Sequence, residues 1–477
     1  MKKRAPGTGS NRNIRGMAYV VTALFVCMLA GFGYFLQVES KTVINNSYNA
    51  RLDSFSDRIV RGEIRSSDGT VLARTDIAED GTETRVYPYG SLFAHVVGYS
   101  DHGKTGLESL ANFYLLSSNG NLLERTLNEL ADVKNIGDNV VTTLDGELQQ
   151  IASDSLGDRK GAVVAMEPDT GKILAMVSRP GYDPNTLGED WDSLISGDNT
   201  EAQLLNRATQ GVYPPGSTFK IVTALEYMRE HADDWQDFVF DCDGSFEYEA
   251  YSISCYHGNA HGHQTLREAF ANSCNGAFAQ IGLGLDLEGM RELTSDLLFN
   301  ADLPLALAYS KSSFAMGDGA TEWERLQTAI GQGSTQMTPI HNCMITSAIA
   351  NGGVLMKPYL VDRVETAAGE EVEKFLPSSG GTLMTSFEAE TLSGLMRGVV
   401  TEGTGSAVRT DAYSVAGKTG SAEFETGKET HAWFTGFAPV EDPQIAVTVI
   451  VEEGGSGGQT AAPVARAVFD AWFARER

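Results

Sequence analysis

Residues 161–178 read GAVVAMEPDTGKILAMVS, which is two short apolar runs on either side of a turn. The runs at residues 162–167 and 172–178 are rich in Val, Ile, Met and Ala, and they flank the tetrapeptide Pro-Asp-Thr-Gly. Pro and Gly favour turns because Pro fixes φ and Gly reaches positive φ without steric conflict. Two apolar runs of strand length around such a turn predict a β-hairpin.

Strand-like segments recur near the other end of the chain. Residues 431–438 (HAWFTGFA) and 444–451 (QIAVTVIV) have the same apolar character, and a further strand begins around Lys418. The pattern between residues 200 and 350 is mostly helical, and a last helix is predicted over residues 461–475. Strands at both ends with helices between them predict one antiparallel sheet flanked by helices, an α+β fold.

The region before the first hairpin, residues 38–150, is mixed in character. Residues 61–73 (RGEIRSSDGTVLA) alternate between apolar and polar side chains and break at Asp-Gly, which predicts a second hairpin. The pattern becomes helical around residues 142–156. We therefore expect four parts: a tail at residues 1–16, an apolar segment at 17–37, an N-terminal domain at 38–150 and a larger domain at 151–477.

The apolar segment at residues 17–37 carries no charge, and its 21 residues are enough to span a bilayer as a helix. The tail before it is basic and has no acidic residue; its cations are Lys2, Lys3, Arg4, Arg12 and Arg15. The positive-inside rule then predicts a cytoplasmic N-terminus and an exported remainder. A cleaved signal peptide is the alternative, although its apolar core is usually only about 7–15 residues long.

The formal charge of the chain is -27, which argues against a surface that binds nucleic acid. Its five cysteines include Cys27 in the apolar segment, and Cys242 and Cys255 at the ends of a short loop. An exported domain can keep disulfides, so we expect a Cys242–Cys255 disulfide, with two reduced thiols as the alternative.

No Cys/His spacing in the sequence is typical of a zinc site. The run of His257, His261 and His263 is interpreted as a polar loop, because it lacks the spacing of ligands on one helix face. We therefore predict neither a metal nor a cofactor.

Residues 213–220 (YPPGSTFK) place Ser217 and Lys220 three positions apart where a helix begins. At that spacing both side chains lie on one helix face. A serine hydroxyl becomes a nucleophile when a base takes its proton, and a lysine can be that base when burial lowers its pKa. The alternative is a serine N-cap followed by a solvated lysine, and this motif alone does not exclude it.

Two further motifs carry suitable chemistry. Ser273 and Asn275 lie in a helical stretch, where a hydroxyl can relay protons and an amide can hold a lysine and a substrate carbonyl. Residues 417–421 (GKTGS) enter a strand, where a lysine and a threonine can bind a carboxylate. Each motif also has a second copy elsewhere, at residues 117–119 (SSN) and 103–106 (GKTG), so neither is specific alone.

The three motifs occur in the order Ser-x-x-Lys, Ser-x-Asn and Lys-Thr-Gly, at residues 217, 273 and 418. This set is that of penicillin-binding proteins and related β-lactamases. Residues 155–477 resemble the penicillin-binding protein transpeptidase domain through the blocks YPPGSTFK, NSCN, GKTGSAE and HAWFTGFAP. Residues 61–73 and 95–108 resemble the elongated, mostly-β pedestal of class B enzymes, so the second GKTG is interpreted as a pedestal turn. We find no glycosyltransferase-like region, as in the monofunctional type.

The resemblance implies a D,D-transpeptidase that cross-links peptidoglycan stem peptides and is acylated by β-lactams. Ser217 would be the nucleophile, Lys220 its base, Ser273 the proton relay, and Asn275 the group that orients substrate and Lys220. Lys418 and Thr419 would bind the substrate carboxylate, beside Gly420 and Ser421. The implied partners are stem peptides, their lipid-linked precursor, β-lactams and a SEDS-type membrane glycosyltransferase.

Several other functions use the same residues. A D,D-carboxypeptidase would pass the acyl group to water, and a β-lactamase would hydrolyse its acyl-enzyme rapidly. A β-lactam sensor or a catalytically silent scaffold of a wall-synthesis complex belongs to a different class. A sensor is expected to have further membrane spans, and a silent scaffold is expected to have lost a motif residue, whereas all are present.

Overall fold

The computed structural model describes residues 9–35, 56–317, 319–425 and 427–475. Its first element is the helix α1, Gly9–Tyr34. The part from Ile14 to Tyr34 is long and apolar enough to cross a membrane, with a mean hydropathy of 1.9. Its apolar side chains are exposed (Leu24 is 60% exposed), an arrangement that lipid accommodates and water does not. Residues 1–8 of the predicted tail and residues 36–37 of the predicted span lie outside the described residues.

The N-terminal region consists of short strands and short helices. Its strands are β1 Ile59–Val60, β2 Ile64–Arg65, β3 Val71–Ile77, β4 Glu83–Val86, β5 Asn135–Ile136 and β6 Asn139–Thr142. Its helices are α2 Ala94–Val97, α3 Gly106–Leu110, α4 Asn112–Leu115 and α5 Leu122–Leu130, with a 3-10 turn at Gly90–Leu92. Strands β2 and β3 are antiparallel around a turn in which Gly69 has φ +87°. The predicted hairpin at residues 61–73 is confirmed.

The middle of the chain is mainly helical. Its elements begin with α6 Gly146–Leu156, β7 Gly161–Met166, β8 Ile173–Arg179, α7 Leu187–Leu194, a 3-10 turn at Gly216–Phe219 and α8 Lys220–Glu230. After a 3-10 turn at Trp235–Asp237 come β9 Val239–Cys242, β10 Ser245–Tyr248, β11 Tyr251–Ser254, a 3-10 turn at Tyr256–Gly258 and β12 Gly262–Thr265. Then follow α9 Leu266–Ala271, α10 Asn275–Gly284, α11 Leu287–Asp296, α12 Glu322–Ala329 and α13 Pro339–Ala350. The sequence pattern missed β9–β12, which are four-residue strands without a continuous apolar run.

The last part of the chain returns to strands. It contains β13 Val354–Met356, β14 Val361–Glu365, β15 Glu371–Lys374, β16 Ser379–Thr382, α14 Ser386–Thr401 and a 3-10 turn at Ser406–Val408. It ends with β17 Ala416–Ala422, β18 His431–Ala438, β19 Ile445–Val451, a helical turn at Gly457–Ala461 and α15 Ala462–Phe473. The predicted strands at residues 431–438 and 444–451 and the final helix are confirmed.

The centre of the larger region is a five-stranded antiparallel sheet in the order β17-β18-β19-β7-β8. Helix α13 packs on one face against β7, β18 and β19 and is buried from Pro339 to Ile349. Helices α6 and α15 cover the other face, where Phe469 is fully buried. This helix–sheet–helix arrangement is the predicted α+β fold.

A second sheet has six strands in the order β15-β14-β6-β2-β3-β4. Four of its strands come from the N-terminal region, whereas β14 and β15 come from the larger region. β14 pairs antiparallel with β6 from Val361 to Glu365. Main-chain hydrogen bonds therefore connect the two parts of the chain that the predicted boundary near residue 150 separates.

A buried ion cluster ties the N-terminal region together. The fully buried carboxylate of Glu108 accepts hydrogen bonds from Arg61 Nε at 2.6 Å and Arg85 Nε at 2.8 Å. Burial acts to raise the pKa of Glu108, but the two guanidinium groups outweigh it and hold that pKa below its usual value. Glu108 thereby fixes α3 to Arg85 on β4 and to Arg61, which directly follows β1.

Candidate active site

Ser217 lies in the 3-10 turn Gly216–Phe219, directly before α8 begins at Lys220. Gly216 has φ +53°, and a Cβ there would lie 3.0 Å from the carbonyl oxygen of Ser421. Trp433 Nε1 also donates to the Pro214 carbonyl at 3.0 Å. The turn that carries Ser217 therefore packs closely against β17 and β18. A side chain at position 216 would prevent this close packing.

Lys220 is fully buried and points toward the second motif. Its Nζ donates to Asn275 Oδ1 at 2.8 Å and to the Ser273 carbonyl at 2.6 Å, and it lies 3.2 Å from Ser273 Oγ. Burial lowers the pKa of Lys220 to about 7, because the surroundings solvate the ammonium poorly. A lysine with this pKa is partly neutral at physiological pH and can accept a proton.

Ser273 is held between two lysines. Lys418 Nζ donates to Ser273 Oγ at 2.9 Å, on the hydroxyl that Lys220 also approaches. Burial and the nearby Lys220 both lower the pKa of Lys418. Ser273 has φ +56°, a left-handed conformation that costs a non-glycine residue about 1–2 kcal/mol. Such strain is characteristic of functional positions.

Asn275 is the first residue of α10, and both ends of its amide have partners. Its Oδ1 accepts from Lys220, while its Nδ2 donates to the Ser254 carbonyl at 2.9 Å. The amide is thus oriented by β11 on one side and by the buried lysine on the other.

The third motif lies on β17, which is an edge strand of the central sheet. Thr419 Oγ1 is 2.6 Å from Thr404 Oγ1, and Ser421 Oγ accepts from the Gly457 N–H at 3.3 Å. A Cβ on Gly420 would lie 3.2 Å from the Pro215 carbonyl oxygen. An edge strand leaves one row of main-chain groups available for an extended ligand.

One cavity brings the predicted residues together. Ser217, Ser273, Asn275, Thr419, Gly420 and Ser421 all line it, with Lys220 and Lys418 buried behind Ser273. The sequence analysis did not assign the other lining residues to the site: Tyr256, Asn259, His261, Asn272, Ile330, Gln332, Thr404, Ser456 and Gly458. They lie on loops and turns, for which the sequence carried no periodic signal.

The second copies of the motifs lie elsewhere. Thr105 precedes α3, and a Cβ on Gly106 would lie 2.6 Å from the Val96 carbonyl oxygen, so this glycine serves a tight turn. Asn119 donates to the carboxylate of Asp138 at 2.6 Å. Neither copy lines the cavity.

Two family models match the chain. Residues 161–470 match the penicillin binding protein transpeptidase domain, and residues 61–140 match the penicillin binding protein A dimerisation domain. The chain belongs to the penicillin-binding protein transpeptidase family. The resemblance to class B penicillin-binding proteins is thereby confirmed.

Curated relatives of this penicillin-binding protein cover most of its length. It is 32% identical to the peptidoglycan D,D-transpeptidase PbpA of Mycolicibacterium smegmatis, over 97% of this chain and 99% of the relative. It is 31% identical to MrdA of Acinetobacter baumannii, over 82% of this chain and 66% of the relative.

A solved structure has the same fold. The ceftriaxone acyl-enzyme complex of penicillin-binding protein A from M. tuberculosis superposes with a TM-score of 0.79 at 32% identity. The match covers 88% of this chain and 99% of that one.

The expected Cys242–Cys255 disulfide is not formed in this penicillin-binding protein. The two Sγ atoms lie 3.7 Å apart and both cysteines are free, whereas a disulfide bond is about 2.05 Å long. The side chains of His261 and Cys274 lie beside these two cysteines. One donor atom of each and the Sγ atoms of the two cysteines all lie within 4.8 Å of one another. The interpretation of His261 as part of a polar loop therefore did not include its proximity to the three cysteines, because the four residues come from four different segments.

Proposed function

We propose that this chain is a peptidoglycan D,D-transpeptidase that forms peptide cross-links through an acyl-enzyme on Ser217. The observation that carries the proposal is the position of Ser273 Oγ, 3.2 Å from Lys220 Nζ and 2.9 Å from Lys418 Nζ, in the cavity that Ser217 lines. Membership of the transpeptidase family and the β-lactam acyl-enzymes of its relatives support it.

Acylation would begin with neutral Lys220 taking the proton of the Ser217 hydroxyl. Ser217 Oγ then forms a bond to the carbonyl carbon of the penultimate D-Ala of a stem peptide. The peptide bond to the terminal D-Ala breaks, and its nitrogen receives a proton through Ser273. The hydrogen bonds of Ser273 to both lysines give that proton a path from Lys220.

The substrate would lie antiparallel beside β17, with its terminal carboxylate near Lys418 and Thr419. An anion there favours the charged form of Lys418, which burial opposes in the free protein. The N–H groups of Ser217 and Ser421 would bind the developing oxyanion, since two such donors are what a tetrahedral intermediate needs. An amine from a neighbouring strand would then attack the acyl-enzyme, form the cross-link and release Ser217.

Fluorescent penicillin labelling of the full-length protein in detergent tests the nucleophile and the reaction type together. We expect stable label on the wild type and on the control Ser118→Ala, and none on Ser217→Ala. Label that disappears within seconds would instead identify a β-lactamase. Absence of label on folded wild-type protein would overturn the enzymatic proposal. Incubation with a D-Ala-D-Ala stem peptide and an amine acceptor then distinguishes transfer from hydrolysis by mass spectrometry.

The helix α1 would anchor the protein in the cell membrane with its N-terminus in the cytoplasm. The apolar stretch Ile14–Tyr34 and the basic residues before it support this orientation. A cysteine is introduced at position 5 or at position 249 in a Cys27→Ser background, whose four remaining cysteines are buried. Labelling with a membrane-impermeant thiol reagent in intact spheroplasts tests the orientation. Reaction at position 249 alone is expected, and reaction at position 5 would contradict it.

A SEDS-type membrane glycosyltransferase would bind through α1 and the N-terminal region. Helix α5 supports this, because it leaves Leu123 and Leu127 more than half exposed, along with other leucines. We expect Leu123→Asp with Leu127→Asp to reduce co-purification of the glycosyltransferase. The control is Leu376→Asp, an equally exposed leucine outside this region. Unchanged co-purification of the double variant would count against the contact.

A further inference from the structure

Four side chains of metal-binding type converge beside the active-site cavity. Cys242 ends β9, Cys255 follows β11, His261 precedes β12 and Cys274 precedes α10. The Sγ atom of Cys255 is 3.7 Å from that of Cys242 and 3.7 Å from that of Cys274. Cys242 Sγ is 3.4 Å from His261 Nδ1. The three cysteines are buried, and His261 is half-buried at the cavity wall.

These separations fit the edges of a tetrahedron around one ion. Zinc binds thiolate sulfur at about 2.3 Å and imidazole nitrogen at about 2.0–2.1 Å, so two sulfurs on one tetrahedral ion lie roughly 3.8 Å apart. A sulfur and a nitrogen lie about 3.6 Å apart by the same geometry. The measured distances of 3.7, 3.7 and 3.4 Å match those values within a few tenths of an ångström.

The donor set is also that of a structural zinc site. Three thiols and one imidazole are soft to borderline ligands, which select Zn²⁺ over Mg²⁺ or Ca²⁺. Four protein ligands fill a tetrahedral ion and leave no position for water or substrate, so such a site is structural and not catalytic. We propose that Cys242, Cys255, His261 and Cys274 bind one Zn²⁺ ion. The thiol protons are released to solvent when the metal binds.

The site would position the second motif of the active site. Cys274 lies between Ser273 and Asn275 in the chain, and Cys255 follows Ser254, whose carbonyl accepts from Asn275 Nδ2. A single ion would thus connect the end of β11, where the Ser254 carbonyl binds the Asn275 side chain, to the start of α10, where Asn275 lies. It would also help to hold the left-handed backbone of Ser273, which bonds to both lysines. This positioning role rests on the proposed function, whereas metal binding itself does not.

Metal analysis of the full-length protein, purified without chelators, tests the binding. We expect one zinc per chain in the wild type and in the control Cys27→Ser, whose cysteine lies in the membrane helix. Cys242→Ser and His261→Ala are expected to lose at least nine-tenths of the metal. Replacement of zinc by Co²⁺ in the wild type should give a thiolate-to-cobalt charge-transfer absorption, which needs no variant to fold.

The contrary outcomes are equally definite. Metal-free wild-type protein that gives no such absorption with Co²⁺ would overturn the proposal. So would a Cys242–Cys255 or Cys255–Cys274 disulfide detected by peptide mapping in freshly purified protein.

The positioning role has its own readout. Removal of zinc by a chelator should slow penicillin labelling at least tenfold and alter its pH profile, and added Zn²⁺ should restore both. Metal present together with unchanged labelling after its removal would leave the zinc site but refute the positioning role. Failure of labelling in the zinc-loaded wild type would instead refute the proposed function.

Discussion

Lys418 donates from Nζ to the hydroxyl of Ser273 at 2.9 Å, although 145 residues separate them in the chain. The same hydroxyl lies 3.2 Å from Lys220 Nζ. Two ammonium groups on one buried hydroxyl repel each other, so the site disfavours the state in which both are charged. This shared contact is the physical basis of the acid–base chemistry proposed here.

The rate of acylation by penicillin is expected to rise with pH through about 7. Lys220 has a pKa lowered to about 7, and only its neutral form can take the proton of Ser217. The neutral fraction grows as the pH rises, so the rate increases between pH 6 and 8 and then levels off. Stopped-flow measurement of the acylation rate checks this, and a rate that falls over the same range would contradict the base role.

Ser273→Ala is expected to slow acylation by about 10²-fold or more, the usual size of a general acid–base contribution. The variant removes the hydroxyl that both lysines contact but leaves the fold of α9 and α10 in place. The matched control is Ser117→Ala, in the other Ser-x-Asn sequence, which does not line the cavity. Equal acylation rates of the two variants would remove Ser273 from the mechanism.

Gly331→Ala should abolish labelling of Ser217, whereas Gly333→Ala should retain most of it. Both glycines have left-handed φ, +78° and +80°, so both substitutions carry a similar strain of about 1 kcal/mol. A Cβ on residue 331 would lie 1.8 Å from the Gly216 carbonyl oxygen, while one on residue 333 meets only ordinary contacts. Similar labelling of the two variants would show that the Ser217 turn tolerates displacement.

Glu108→Ala is expected to lower the free energy of unfolding by about 3–5 kcal/mol, because it leaves two arginines without their buried partner. The control, Glu124→Ala, changes an exposed carboxylate on α5 and should stay within about 0.5 kcal/mol of the wild type. Chemical denaturation of the full-length protein in detergent measures both. A loss below about 1 kcal/mol for Glu108→Ala would show that the cluster contributes little to stability.

The sequence was sufficient to predict the central sheet and the three motifs. The hairpin of β7 and β8 was predicted because its strands are continuously apolar around a Pro-Gly turn, and the order of the motifs then predicted which residues share a site. Ser217, Ser273 and Ser421 do line one cavity. Their individual roles stay predictions.

The metal-type cluster could not be predicted from spacing. Its residues are separated by intervals of 13, 6 and 13 positions. They lie at the ends of elements or directly beside them, and the strands among these elements are too short to give a periodic signal. Only the pairing of β9 with β12, which places Cys242 opposite Gly262, brings His261 beside the first cysteine. The positive φ of Ser273 was equally invisible, since its cause is the tertiary packing around it and not its residue type.

The six-stranded sheet has a mechanical consequence. Because β14 is hydrogen-bonded between β6 and β15, the N-terminal region and the catalytic region share one continuous sheet of main-chain hydrogen bonds. A hinge between them would have to break the β6–β14 ladder. A push or pull on the membrane-proximal part of the molecule is thus carried into the catalytic region through the backbone itself, without relying on side chains at a movable joint.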